Sequence, residues 1–534
     1  MSSSQATFDW IIVGGGSAGC VLANRLSEDR SKRVALLEAG GTDGDLRSRI
    51  PAGSILAVAS DKLNWKYELE PDASLGGAVH VWPAGRLLGG GSSINGMMFI
   101  RSHPRDFDHW ASLGNEGWSS ADVLPYFKRM EHNERGGGTF RGVGGPQAVS
   151  DCRAPHPLTD IWMRAAEEAG IERNPDLNGE KPEGVDYVQA SQKDGWRHST
   201  SQAYLRGVRR PNLEVRTGCV VHRVLFEGRR ACGVEYTHGG QTVRLKANCG
   251  VVVSAGSLSS PKLLQISGIG PGDMLQGFGI PVISDLPGVG ANLQEHPAVL
   301  TTTFVDSPTL STDTGPLRNI VHGLNFLLRG RGPLTTSIGH AQAFVRSSPD
   351  KEIPDIQLIM SPFAYDFHEA GARLCREQVF AVCVGLMRPR SRGTISLRSP
   401  DPADRPRIHH ELLGSQEDVA DMIKGLRLGR HVLEQPAIRS IVHGERHPGH
   451  TLVSDADLES FVRTNAFPMY HPVGTCRMGK DDGAVVDHRL AVRGVERLWV
   501  ADASVMPTLP SGNTNATVIM IGEKASDLLR EAVA

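Results

Sequence analysis

The stretch FDWIIVGGGSAGCVLANRLSED, residues 8–29, restricts the fold of this chain more than any other. A short apolar run meets Gly14, Gly16 and Gly19 in the order G-x-G-x-x-G. A helical pattern then runs from Ser17 to Asp29, with Val21, Leu22 and Leu26 on one face. The first glycine permits a tight turn, the second lets the backbone approach a pyrophosphate, and the third lets the helix pack closely on the strand. The free N–H groups where the helix begins, at Ser17, point toward phosphates. A second strand, RVALLEAG, ends in Glu38, about 20 residues beyond the last glycine, where an acid hydrogen-bonds a ribose hydroxyl. Strand, glycines, helix, strand and acid in this order predict a Rossmann-like βαβ unit. Its ligand is a dinucleotide with an unphosphorylated ribose, NAD or FAD rather than NADP.

Bulk properties exclude several classes. The 534 residues, 40% hydrophobic and 22% charged, suffice for more than one core. A net charge of −2 gives no field that attracts nucleic acid. The eight cysteines are scattered with no C-x-x-C pair, which points to reduced thiols in a cytoplasmic protein. The N-terminus enters a strand almost at once, so no signal peptide is expected. The apolar run Val379 to Met387 is too short to span a bilayer. No His, Asp and Glu set has metal-ligand spacing.

After EAGG the chain does not continue with regular βα units, as an NAD enzyme usually does. It passes through a stretch rich in Gly, Pro and Trp and reaches GRLLGGGSSINGMMFIR, residues 85–101. Its glycines and serines make a loop with many exposed N–H groups, suited to an anionic or carbonyl-rich group.

Here the chain resembles the glucose–methanol–choline (GMC) oxidoreductases. GRLLGGGSSIN is similar to the first signature of that family, and GSLSSPKLLQISGIG, residues 256–270, to its second. PGVGANLQEHP at 287–297, YHPVGT at 470–475 and ADASVMPTLPSGNTNAT at 501–517 look like later family segments. The matches span the whole chain in order. The resemblance implies FAD as cofactor and an α/β (α+β) fold, in which a Rossmann-like FAD-binding domain is joined to a discontinuous substrate domain on an antiparallel sheet. The FAD-binding domain then comprises residues 1–155, 213–299 and 466–534, and the substrate domain residues 156–212 and 300–465. FAD contacts are implied for Arg86, Gly90, Gly91, Ser92, Asn95, Gly96, Met97, Met98, Val221, Ala501, Asp502, Asn513, Thr514 and Thr517. Asp502 has the alternative role of holding a turn. Some members bind FAD covalently through a histidine in the glycine–serine loop. Ile94 stands at the matching position, so FAD is expected to be non-covalent. In RSHPRDFD, Ser102 replaces the glycine usual in the family.

Local patterns fill in the rest. PHPLTDIWMRAAEEAG reads as a helix stopped at Gly170, and the alternation from Asn212 reads as antiparallel hairpins. NTNATVIMIGEKASDLLREAV reads as a final helix, capped by residues from Asn513 to Asn515, whose positive end favours negative charge. His296, before Pro297, reads as structural.

By resemblance, the active pair is His471 and Asn515. His471 removes the hydroxyl proton of an alcohol while hydride passes to flavin N5. The amide of Asn515 hydrogen-bonds the substrate oxygen, and Phe467 and Tyr470 stand beside the substrate. A neutral imidazole, available near pH 7, suits a base. A dehydrogenase is favoured, its partners a small alcohol and an electron acceptor (quinone, carrier protein or oxygen). An oxygen-using alcohol oxidase and a flavin-containing lyase of hydroxynitrile-lyase type are the alternatives.

Overall fold

The computed structural model describes residues 6–368 and 371–533. Two seven-stranded sheets organise it. In the first, strands Leu213–Arg216, Val34–Leu37, Thr7–Val13 and Gln241–Val253 lie side by side and parallel, with Leu498–Val500 parallel to the end of the last. Gln241–Val253 has a double role. Its second half belongs to the buried parallel layer, while its first half begins an antiparallel meander with Arg230–His238 and Val220–Glu227. Its burial follows this division, alternating early and continuous at the end, as one-sided and two-sided cover require. The hairpins expected from Asn212 onward are present from Val220. Leu213–Arg216 is instead a parallel edge strand beside Val34–Leu37.

The helix predicted over Ser17–Asp29 ends at Leu26 and buries Val21, Leu22 and Leu26 in the core of this sheet. The final helix, Asn515–Glu531, packs across it. The approach is close because Gly522 has no side chain: a Cβ there would sit 3.0 Å from Val21 Cβ. Glu523 lies one residue further on, fully buried. It accepts from Tyr204 Oη at 2.6 Å, from Arg25 Nε at 3.0 Å and from Arg129 Nε at 2.7 Å. A buried carboxylate is tolerated when donors satisfy it in this way, and the arrangement ties four distant segments together.

The second sheet is antiparallel throughout, in the order Val442–His447, Pro297–Val305, Val379–Leu386, Ile356–Ser361, Ala341–Val345 and Gly184–Tyr187. Helices Gln416–Leu433 and Pro157–Glu168 pack against it, the latter followed by Gly170 at positive φ. The short strand Phe467–Pro468 joins the sheet at Pro297–Ala298, and this pairing positions the catalytic candidates.

Candidate active site

One cavity of about 1560 Å³ runs between the two sheets. A single drug-sized ligand fills roughly 300–1,000 Å³, so this cavity has room for a dinucleotide and a small molecule beyond it.

Its dinucleotide end follows from the glycines. Gly14 adopts φ +101, and a Cβ there would sit 2.4 Å from the Ser254 carbonyl. Gly16 opens onto the cavity, while a Cβ on Gly19 would lie 1.9 Å from Gly14 O. Only glycine fits at positions 14 and 19. Glu38 is buried at the end of its strand. Its two oxygens accept from Gly15 N at 2.8 Å and Gly40 N at 2.7 Å, and burial pushes its carboxyl pKa upward against these donors and Arg86. Glu38 and Ser17 line the cavity, as do Arg86, Gly90, Gly91, Asn95, Gly96, Met97, Met98, Val221, Asp502, Asn513 and Thr514. This glycine-lined cleft, with an acid at the ribose position and a helix N-terminus at its side, fits FAD.

Four expected contacts are not on the cavity wall. Gly19 serves helix packing. Ser92 Oγ donates to Gly89 O at 2.6 Å and accepts from Thr200 N, because the GGSS segment coils into a 3₁₀ turn with both serines inward. Ala501 is spent in the sheet, its N–H bonded to Val253 and its carbonyl to Ser254 Oγ. Thr517 faces Ser102, with their hydroxyls 3.2 Å apart. Asp502 does line the cavity, but its carboxylate is occupied by Gly256 N, Ser260 Oγ and both donors of Ser504, at 2.6–2.8 Å. Its side chain holds a turn.

The opposite end carries His471. Pairing of Phe467 with Ala298 brings its segment beside His296, and Met469 N donates to His296 O at 2.9 Å. His471 N donates to both oxygens of Glu295, at 2.7 and 2.8 Å, and His296 N donates to Glu295 Oε1 at 2.9 Å. Tyr470, in between, is held at φ +65, a left-handed conformation that is uncommon for a non-glycine residue. The imidazoles of His296 and His471 meet edge to face, with their Nδ1 atoms 3.0 Å apart. Asn513 Nδ2 lies 3.2 Å from His471 Nε2, and Asn513 Oδ1 accepts from Gln357 Nε2 at 3.4 Å. With the Asn513 amide donating, Nε2 of His471 is the acceptor and its proton sits on Nδ1, facing His296. Burial lowers the His471 pKa to about 4 and holds that of His296 well below the ordinary histidine value, so both rings are neutral at pH 7. Burial also raises the carboxyl of Glu295 well above the ordinary range.

The geometry corrects the expected pair. Asn515 is the first residue of the final helix and accepts from Ser17 Oγ at 2.7 Å, across the glycine loop. The amide on His471 belongs to Asn513, because the chain is still extended there and reaches back to the imidazole before the helix begins. His296, read as structural, contacts the base directly. Glu295 carries no sequence signal beyond adjacency to His296. His198, by contrast, is structural, its Nδ1 accepting from Ala148 N at 3.2 Å, and His103 caps helix Pro104–Ser112. Among the described residues no group of side chains could hold a metal ion.

Comparison with known proteins shows the family. The GMC oxidoreductase family models match residues 8–298 and 389–522. The chain is 41% identical to the mitochondrial choline dehydrogenase of Mus musculus, over 99% of this chain and 90% of that one. It is 40% identical to the alcohol dehydrogenase [acceptor] of Pseudomonas putida, over 98% and 95%. Pyridoxine 4-oxidase from Mesorbium loti superposes with a TM-score of 0.88 at 30% identity, covering 97% of this chain and 98% of that one. The chain belongs to the GMC oxidoreductases, enzymes that use FAD to oxidise alcohols.

Proposed function

We propose that this enzyme dehydrogenates an uncharged, largely apolar alcohol to its aldehyde or ketone, with His471 as base and Asn513 holding the hydroxyl. The observation that carries the reading is a neutral imidazole on the cavity wall, with Nε2 of His471 and the Asn513 amide 3.2 Å apart, so that an alcohol hydroxyl entering between them meets an acceptor and a donor together. His471 takes the hydroxyl proton on Nε2, while the Asn513 amide fixes the oxygen. Glu295, gripping the His471 backbone, and His296, accepting its Nδ1 proton, keep the ring from turning. Bound FAD supplies the acceptor for the hydride that leaves the alcohol carbon. The N-terminus of Asn515–Glu531, which reaches the same cavity, adds partial positive charge there. FAD is held without a covalent bond at the glycine–serine loop, since the side chain of Ile94 is hydrocarbon.

The substrate class follows from what surrounds the base. Leu300, Leu334, Ile338, Ile359, Phe363 and Met469 line the cavity. Of its acids, Glu38 and Asp502 are held by backbone and hydroxyl donors, Asp366 pairs with Arg446 at 2.9 Å, Asp313 pairs with Arg318 and His322, and Asp404 accepts from Ser399 Oγ. A quaternary ammonium alcohol such as choline, the substrate named for the mouse relative, would meet Asp313 and Asp366 only as carboxylates already paired with cations. An acceptor other than oxygen is favoured; the Pseudomonas putida relative is named an alcohol dehydrogenase with an unspecified acceptor. The assignment of residues 1–155, 213–299 and 466–534 to cofactor binding, and of 156–212 and 300–465 to the substrate, belongs to the same proposal. The eight free thiols support a reducing, cytoplasmic compartment.

An anaerobic panel tests this: aliphatic and aromatic primary alcohols, a secondary alcohol and choline, read by flavin absorbance, followed by admission of air. Bleaching by the apolar alcohols and slow reoxidation in air are expected. Bleaching by choline alone would overturn the substrate class. An unbleached flavin throughout would favour a lyase.

A further inference from the structure

The helix Pro316–Arg329 is amphipathic with its faces reversed. His322 and Phe326, about one turn apart, face inward, and His322 lines the cavity together with Asn319, which is itself exposed. Phe326 is the only buried residue of the helix, and its ring packs on Trp196 with centroids 4.5 Å apart. Leu317, Ile320, Val321, Leu324, Leu327 and Leu328 recur at helical spacing on the other side and are exposed, Leu317 to 80% and Leu328 to 79%. A surface helix normally turns its apolar stripe to the core. An exposed stripe of six large aliphatic side chains marks an interaction surface.

Position and charge narrow the partner. The helix packs against the turn Pro333–Thr335, and beyond it Ile338, 55% exposed, lines the cavity. The stripe thus borders the cavity mouth. From Thr314 to Pro349 the sequence contains no Asp or Glu but has Arg318, Arg329, Arg331 and Arg346. Arg318 is engaged by Asp313 and Arg346 by Glu183. Arg329 and Arg331 are exposed at the helix end without an ion-pair partner among the described residues. A second copy docked helix to helix would offer these arginines no acidic residue from its own segment 314–349. An anionic bilayer surface matches both features, since aliphatic side chains enter the acyl boundary while arginines meet lipid phosphates. No helix among the described residues is long and apolar enough to cross a membrane, so this contact lies in the interface plane.

We infer that Pro316–Arg329 docks the enzyme on anionic phospholipid, with the cavity mouth facing the bilayer. An apolar alcohol dissolved in the lipid then reaches His471 without crossing water.

Flotation of the full-length, FAD-loaded protein with vesicles tests this directly and needs no substrate. Vesicles of equal parts phosphatidylglycerol and phosphatidylcholine should carry the enzyme up, with weaker flotation in high salt and on pure phosphatidylcholine. L324E/L328E should lower vesicle binding about tenfold or more, with FAD content and thermal unfolding unchanged because both positions are exposed. R329Q/R331Q should remove the preference for phosphatidylglycerol. Failure of the wild type to float would overturn the inference, as would unchanged flotation of L324E/L328E. A wild-type dimer in sedimentation that L324E/L328E converts to monomer would assign the face to a second copy instead.

Discussion

The amide of Asn513 and Nε2 of His471 face each other at 3.2 Å, while Asn515, two residues on, turns away to accept a hydrogen bond from Ser17. Two asparagines on one short segment thus serve different ends of the cavity. Asn513 stands against the His471 imidazole, and Asn515 ties the final helix to the dinucleotide loop.

Substitutions separate these roles. His471→Ala should slow anaerobic flavin reduction by about a hundred- to ten-thousand-fold, the usual contribution of a general base, with FAD retained. Asn513→Ala removes one hydrogen bond at the substrate oxygen and should cost about ten- to a hundredfold. Asn515→Ala should leave the reduction rate within a few-fold and raise the rate of FAD loss on dilution. Stopped-flow reduction and FAD-release kinetics distinguish the three. If Asn515→Ala were the slower of the two asparagine variants in reduction, the roles would be reversed.

The pH profile follows from burial. His471 must be neutral to act, and burial holds its pKa at about 4. The reduction rate constant should therefore stay nearly flat from about pH 7.5 down to about pH 5 and fall only below that. A fall centred near the ordinary histidine value would mean that the ring is hydrated in the working enzyme.

Stability responds to the same groups with a definite sign. His198, His410 and His471 are depressed to about 4 and His340 to about 3, from 6.5. Below about pH 6.5 the unfolded chain binds protons that the native protein refuses, so stability falls as pH drops toward about 4. Each histidine contributes up to about 1.4 kcal/mol per pH unit in that window. Urea midpoints measured across it should decline steadily, and His410→Gln should flatten the slope.

Ser102 replaces the glycine usual in the family, and it adopts φ +69. A side chain in this region costs roughly 1–2 kcal/mol, against which stands the 3.2 Å contact with Thr517. Ser102→Gly should therefore raise stability by up to about 1 kcal/mol, after the greater freedom of glycine in the unfolded chain is counted. Thermal unfolding of the FAD-loaded protein measures it.

Because Ile94 offers no nucleophile, acid precipitation should leave all the FAD in the supernatant and a colourless pellet. A yellow pellet that retains flavin through washing would show a covalent bond at another residue.

Much of this was legible before the fold. The turn at Gly14 and the strand–helix contact at Gly19 are local steric demands, and each admits only glycine, so the dinucleotide site could be read from a few residues. The resemblance of YHPVGT to a family segment singled out His471 in the same local way. Which asparagine meets His471 was not legible, because Asn513 and Asn515 are chemically identical and only the onset of the helix at Asn515 separates them. Ser92 and Thr517 look like ligand residues by type, yet a tight 3₁₀ turn and helix packing direct their hydroxyls inward.

The sequence by itself determined the cofactor class, the histidine proposed as base and the order of strand and helix, because these rest on short-range geometry and on side-chain chemistry. Only the tertiary structure decided that Glu295 and His296 support His471. Their pairing depends on Phe467–Pro468 joining Pro297–Ala298 across some 170 intervening residues. It alone decided that the apolar face of Pro316–Arg329 points outward, since helical periodicity defines two faces and long-range packing selects which one is buried.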